Sequence, residues 1–311
     1  MKLLGQTTFC IGLQVLHLED GSFFLSQLTY INRILKRFNM IDAHPLSTPM
    51  VGRSSKGDDP YHPCEEEEAI LGEQYPYLAA VGALLYLATS TRSDISFAVS
   101  VLARHSARPT LRHWNGIKHL FRYLKGTEHL GLHYTRSANP TLVGYADAGY
   151  RSDPATSKSQ TGYVFLRHGA AISWKSVKQT VTATSSNHSE VIALHEASRE
   201  CIWLRSVDKF ILTSSGLPYD NAPTILYEDN SACVSQMQAG FIKGDRTKHI
   251  DPKYFSFTHD LITTGVLEIK KIISADNLAD LFTKALPVSV HRRLVYGIGM
   301  RQLNVIEQEV N

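Results

Sequence analysis

The 311-residue sequence has little of what marks several protein classes. Its four cysteines, Cys10, Cys64, Cys201 and Cys233, are scattered with no CxxC pair, which argues against a disulfide scaffold and a structural zinc site and suits a reducing compartment. The longest apolar stretch, around Val81 to Ala88, is far too short to span a bilayer. The start MKLLGQTTFCIGLQVLHLED lacks a clean apolar segment, because Gln6, Thr7 and Thr8 interrupt it, and no small-residue cleavage site follows. We therefore expect neither a membrane partner nor secretion. Strong charge of one sign is absent too: a net charge of +3 and a pI near 8.6 permit a nucleic-acid partner without establishing one. No repeat of the solenoid kind is present.

What is present is a patterned chain long enough for two domains. Residues 7 to 29 read as two strands flanking Asp20-Gly21, followed by a helix on which Tyr30, Ile31, Ile34, Leu35 and Phe38 recur at helical spacing. Ser47 to Pro76, with the acidic run Glu65 to Glu68, has loop or tether composition. Residues 77–104 and 109–125 read as two helices. In the second, Pro109 suits a first-turn position, Trp114, Ile117, Phe121 and Leu124 form an apolar stripe, and Gly126 is a stop signal. Lys118, Arg122 and Lys125 share the opposite face, which would suit a phosphate backbone or simply be solvated.

From about residue 140 the pattern becomes TLVGYAD, TGYVFLR and AAISWKS, three short strand-like runs of which the last two are joined by His168-Gly169. A helix from Ser186 to Lys209 follows, then strand TILYED, helices beginning near Asn230 and spanning His249 to Thr263, strand VLEIKKI, and a last helix from about Asn277. The expected class is α/β (α+β): a mixed five-stranded sheet with flanking helices, preceded by a β-hairpin and a helical region.

The candidate chemistry lies in acids carried by this second pattern. Asp147 follows an apolar strand, Glu190 sits near the start of a long helix, Asp229 ends TILYED, and Asp280 lies in NLADLFTKAL. Phosphodiester hydrolysis needs an activated in-line water and a stabilised leaving oxygen, which two divalent ions about 3.5 to 4 Å apart supply. Hard ions such as magnesium take oxygen ligands, so clustered Asp and Glu form their natural cage. Taken singly, Asp229 and Asp280 could instead be helix N-terminal acids and Glu190 a solvated first-turn glutamate.

Six words in one order decide between these readings. VGYADAGY, SQTGYVFLRHGAAISWKS, SSNHSEVIALHEASRE, LYEDNSA, KHIDPKYF and NLADLFTKALP resemble the RNase H domain of copia-type LTR retrotransposon Pol polyproteins over about residues 140–287. The words FCIGLQVLHLEDGSFFLSQLTYINRILKRFNM, HPLSTPM, VGALLYLATSTRSDISFAVSVLARHSARPT and HWNGIKHLFRYLKGT resemble the same polyprotein further upstream. The resemblance implies the end of the reverse transcriptase palm over 1–46, an acidic loop over 47–76, a thumb and connection over 77–135, an RNase H domain over 140–290 and a C-terminal tail over 291–311.

It further implies a metal-dependent endoribonuclease that cleaves the RNA strand of an RNA/DNA hybrid, using two Mg2+ ions for which Mn2+ can substitute. The acids holding them are implied to be Asp147, Glu190, Asp229 and Asp280. Ser185, Ser186 and Asn187 become candidates for reading the RNA 2′-hydroxyl, and His249 for an auxiliary role. Lys118, Arg122, Lys125 and Lys248 become candidates for phosphate contact, with Lys175, Lys178, Lys243, Arg246 and Lys253 near the same words. Implied partners are the hybrid and other Pol regions, and the implied location is the cytoplasm, in a virus-like particle.

Other positions depart from the pattern without removing a ligand. The only adjacent Asp pair, Asp58-Asp59, lies in a loop with no strand around it, so no YxDD-type polymerase hairpin is expected and the chain reads as a fragment that begins after the polymerase site. Gly149 and Tyr150 stand where relatives have YADADW, Ser93 where they have TRPD, and Pro252 falls in the KHID helix region. An idle nucleic-acid-binding remnant is the alternative. A transposase or integrase fits less well, since integrases place Glu last, after two Asp.

Overall fold

The computed structural model describes residues 5–52, 59–136, 140–240 and 250–310, with side chains through 306. In chain order it begins with strands β1 (Phe9–Cys10), β2 (Leu13–His17) and β3 (Phe23–Ser26), helices α1 (Leu28–Arg37), α2 (Tyr77–Ser90), α3 (Ser96–Ala103) and α4 (Leu111–Gly126), and strand β4 (Leu130–Tyr134). There follow β5 (Val143–Asp153), β6 (Lys158–Arg167), β7 (Ala170–Lys178), α5 (Ser186–Ser214), β8 (Thr224–Glu228), α6 (Ser231–Ala239), α7 (Lys253–Thr263) and β9 (Leu267–Lys271). The chain closes with α8 (Val288–Gly297), β10 (Met300–Gln302) and α9 (Leu303–Val310). Two compact units result, one of Met1–Asn139, His168–Ala171 and Ala285–Asn311, the other of Pro140–Arg167 and Ile172–Lys284. Among the described residues no helix is long and apolar enough to cross a membrane.

In the first unit the sheet runs β1-β2-β3-β4-β10. The apolar period of α1 buries Ile31, Ile34 and Leu35 against the core that α2, α3 and α4 share, with Leu84, Leu87, Ile117 and Phe121 fully enclosed. The segment 77–104, read as one helix, is two. Thr91 ends α2, and a 3-10 turn over Ser93–Ile95 precedes α3. The break serves Arg92, which is fully buried and cannot remain so without a counter-charge. Its Nε and Nη2 donate to Asp94 at 2.9 and 2.7 Å, and its Nη1 and Nη2 donate to the carbonyl and hydroxyl of Thr127 at 3.0 and 2.7 Å. The Tyr123 hydroxyl donates to the same carboxylate at 2.6 Å. Helix α4 starts at Leu111, two residues later than expected, because Thr110 is its cap and exchanges hydrogen bonds with His113.

The tail expected over 291–311 is corrected. His291, Leu294, Val295, Ile298, Met300 and Ile306 are buried, and β10 pairs antiparallel with β4 through Met300↔Leu132, Arg301↔Gly131 and Gln302↔Leu130. The apolar spacing in VHRRLVYGIGM makes a helix and strand that complete the first sheet, so the second unit ends at Lys284 rather than near residue 290.

The second sheet runs β7-β6-β5-β8-β9, with β5 antiparallel to β6 and parallel to β8, and β8 parallel to β9. This is the mixed five-stranded sheet with flanking helices expected from the sequence. The β6–β7 turn has positive φ at both His168 (50°) and Gly169 (78°), as a two-residue hairpin requires. Val191, Leu194, Ala197, Cys201 and Leu204 of α5 are buried with Phe165, Leu226 and Phe255. The helix expected from Asn277 is instead a 3-10 turn over Leu278–Phe282, and α8 begins only after Pro287. Pro252 does not interrupt α7 but sits directly before its first residue, with φ of −51°.

Asp94→Ala is expected to lower the stability of the first unit by about 3–5 kcal/mol in denaturant titration of the full chain, because it strands the buried Arg92 guanidinium.

Candidate metal centre

Strand register brings the first two acids together. Tyr145 of β5 lies beside Tyr227 of the parallel β8, their rings 5.1 Å apart, and two residues on along each chain come Asp147 and Asp229. A two-residue period puts both acids on the sheet face of these tyrosines, opposite Ala146 and Leu226, which join the core under α5. Glu190 reaches the same edge from the second turn of α5. That helix is fixed at its start by Ser185, whose hydroxyl accepts from the His188 N–H at 3.1 Å. One oxygen from each of Asp147, Glu190 and Asp229 lies within 4.8 Å of the others.

Asp280 arrives on the 3-10 turn. Asn277 caps that turn through Ala279 N–H at 3.1 Å and also donates to the Ala146 carbonyl at 2.8 Å, so the turn is pinned to β5 next to Asp147. Gly162, the cross-strand partner of Asp147, makes the approach possible. A Cβ there would come within 2.6 Å of Thr283 Cγ2 and 2.8 Å of Phe282 Cβ. Gly149 also matters, since a Cβ at that position would meet the Thr283 carbonyl at 2.7 Å. The Thr283 hydroxyl donates to Asp147 Oδ2, and Lys284 Nζ lies 2.6 Å from Asp280 Oδ1 and 3.7 Å from Asp147 Oδ2.

Burial and repulsion raise the acids' proton affinity. Desolvation is the largest cause for Asp147, Glu190 and Glu228, and neighbouring carboxylates add to it, so all three are held above the usual carboxylate range. Asp280 is pushed up to about 7 by burial and by Asp147, against the pull of Lys284. Glu228 is a member that reading the sequence missed. It is fully buried, takes the Asn230 N–H at 3.0 Å on Oε1, and has no hydrogen-bond partner for Oε2 among the described residues. Its signal was visible as an acid in the alternation of TILYE, at a core-facing position beside Leu226.

The donor set consists of carboxylate oxygens alone, and the buried Glu190 Oε2 has no partner among the described residues. Both properties fit a hard divalent cation such as Mg2+.

The other expected site residues fare differently. Ser185 is occupied as a helix cap, and Asn187 donates to Gln236 Oε1 at 2.7 Å. Lys178 pairs with Asp153 at 2.9 Å and Lys253 with Asp251 at 3.0 Å, while Lys175 is exposed. In the first unit Arg122 donates to the His44 carbonyl at 2.7 Å and Lys125 lies 3.5 Å from Glu128; Lys118 is half-buried. Lys243, Arg246, Lys248 and His249 lie outside the described residues.

Over 288 residues, 92% of this chain, the sequence is 35% identical to the retrovirus-related Pol polyprotein from transposon TNT 1-94 of Nicotiana tabacum. The chain belongs to the copia-type family of retrovirus-related Pol polyproteins. It spans about a fifth of that polyprotein's length, 21%. A stretch of 129 residues, 42% of this Pol-family chain, is 43% identical to 91% of the secreted RxLR effector protein 161 of Plasmopara viticola. The solved LC11-RNase H1, isolated from compost, overlaps 46% of the chain and 93% of its own length at 20% identity and a TM-score of 0.33. No protein-family profile matches the chain.

Acids whose folded pKa is raised take up protons on folding, so their stabilising effect is complete at low pH and is lost as pH rises through the folded values, about 7 for Asp280. Metal-free protein is expected to unfold at a lower temperature near pH 8 than near pH 5. Thermal denaturation in chelator should show a smaller drop for Glu228→Gln, and an equal drop would contradict the assignment.

Proposed function

We propose that the second unit is a metal-dependent RNase H that cleaves the RNA strand of RNA/DNA hybrids. The observation that carries this reading is the convergence of Asp147, Glu190 and Asp229 within 4.8 Å, with Asp280 brought to the same strand edge. Asp147, Glu190 and Asp229 would hold one divalent ion, and Asp147 with Asp280 a second. When bound, such ions lower the pKa of water and neutralise charge on the scissile phosphate.

The chain's own residues set up that site. Thr283 fixes one oxygen of Asp147 by its hydroxyl. Ser185 holds the start of α5 so that Glu190 is presented from a rigid helix rather than a loop. Ser186 and Asn187 lie on the same first turn, where a 2′-hydroxyl could distinguish RNA from DNA. On α4, Lys118 is the strongest candidate for a phosphate contact, since Arg122 and Lys125 already have partners. Membership of the Pol family supports a nucleic-acid substrate.

With a labelled RNA/DNA hybrid and Mg2+, the full chain is expected to shorten the RNA strand and leave the DNA strand intact. Asp147→Asn should reduce cleavage to the level of protein-free controls. Equal product from wild type and Asp147→Asn would sink the proposal and leave a nucleic-acid-binding remnant.

A further inference from the structure

The acidic cluster has two unlike edges. Along Asp147, Glu190 and Asp229 the oxygens face one another within 4.8 Å, and Glu190 Oε2 has no partner among the described residues. Along Asp147 and Asp280 an ammonium is already in place. Lys284 Nζ lies 2.6 Å from Asp280 Oδ1 and 3.7 Å from Asp147 Oδ2, bridging the two carboxylates that a second divalent ion would need.

The placement is built into the chain. Lys284 follows Asp280 by four residues, and its backbone N–H donates to the Asp280 carbonyl at 3.3 Å, so the same turn that delivers the acid delivers its cation. The lysine side chain is 44% exposed, so its head can leave toward water without breaking the core. Thr283 donates to the Asp147 oxygen that Lys284 faces, and the two residues together meet the charge on that side of the carboxylate.

Resting on the two-ion reading given above, we propose that Lys284 is an internal competitor for the second divalent cation. With the lysine in place, Asp147 and Asp280 are held together with their repulsion offset. A divalent ion at the Asp147, Glu190 and Asp229 edge meets no such competitor. An ion at the Asp147–Asp280 edge must displace the ammonium or share the carboxylates with it, and like charges a few ångströms apart repel strongly in a partly desolvated site. The two ions therefore bind in order, and Lys284 sets the gap between their affinities. Lysine suits this role because its charge sits at the end of a flexible four-carbon stem.

The test is calorimetric titration of Mn2+ into the full chain, with Mn2+ electron paramagnetic resonance to count bound ions, in the absence of nucleic acid. Wild type should bind two ions with separated affinities. Lys284→Gln should tighten the second by about tenfold or more while moving the first only slightly, and Lys284→Arg, which keeps the charge, should preserve a wide gap. Circular dichroism establishes that each variant is folded. A second affinity that is unchanged or weaker in folded Lys284→Gln overturns the role given to Lys284, leaving it a brace for Asp280. Mn2+ binding by wild type no tighter than by Asp147→Asn overturns the metal-centre reading itself, an outcome distinct from two-site binding that Lys284→Gln fails to alter.

Discussion

Everything at the second unit's strand edge answers to one constraint: buried carboxylates repel each other and resist leaving water. Asp147, Glu190 and Glu228 are 3%, 7% and 0% exposed; Asp147 raises the proton affinity of both glutamates, and Glu228 raises that of Glu190. No fold gathers such groups without something to offset the cost. Here the offset comes from the Thr283 hydroxyl, the Lys284 ammonium, the Asn230 N–H on Glu228 and protons taken up by the acids. A divalent cation would do the same more completely, which makes the cluster's strain and its chemistry two aspects of one arrangement.

The backbone is shaped to maintain that arrangement. Parallel pairing of β5 and β8 sets Asp147 beside Asp229, the start of α5 supplies Glu190, and absence of side chains at Gly162 and Gly149 lets the turn carrying Asp280 close on β5. Asn277 holds the turn at both ends of its amide, capping Ala279 and donating to Ala146. The acids come from four separate stretches of chain, so only the completed sheet brings them together.

Much of this was readable before folding. The order of strand and helix types predicted the mixed sheet, and TILYED and VGYADAGY each place an aspartate two residues past a tyrosine, which parallel pairing then aligns. Residues that act through long-range contact were not readable. Arg92 splits a helix that local propensity would continue, because its guanidinium can be buried only beside Asp94 and Tyr123. The final segment looked like a tail because β10 is three residues long and acquires its meaning only by pairing with β4, far away in sequence. Glu228 and Lys284 carried visible signals, a core-facing acid in a strand and a cation four residues after an acid, yet each also fits an ordinary surface role. The contacts of Ser185, which caps α5, and of Asn187, which donates to Gln236, were not readable either.

The central claim is that these scattered acids form one divalent-cation centre. Anomalous diffraction from crystals equilibrated with Mn2+ tests it most directly. The account predicts a peak bounded by carboxylate oxygens of Asp147, Glu190 and Asp229. A map with no peak there, and with Mn2+ only at surface acids such as Glu65 to Glu67, would contradict it.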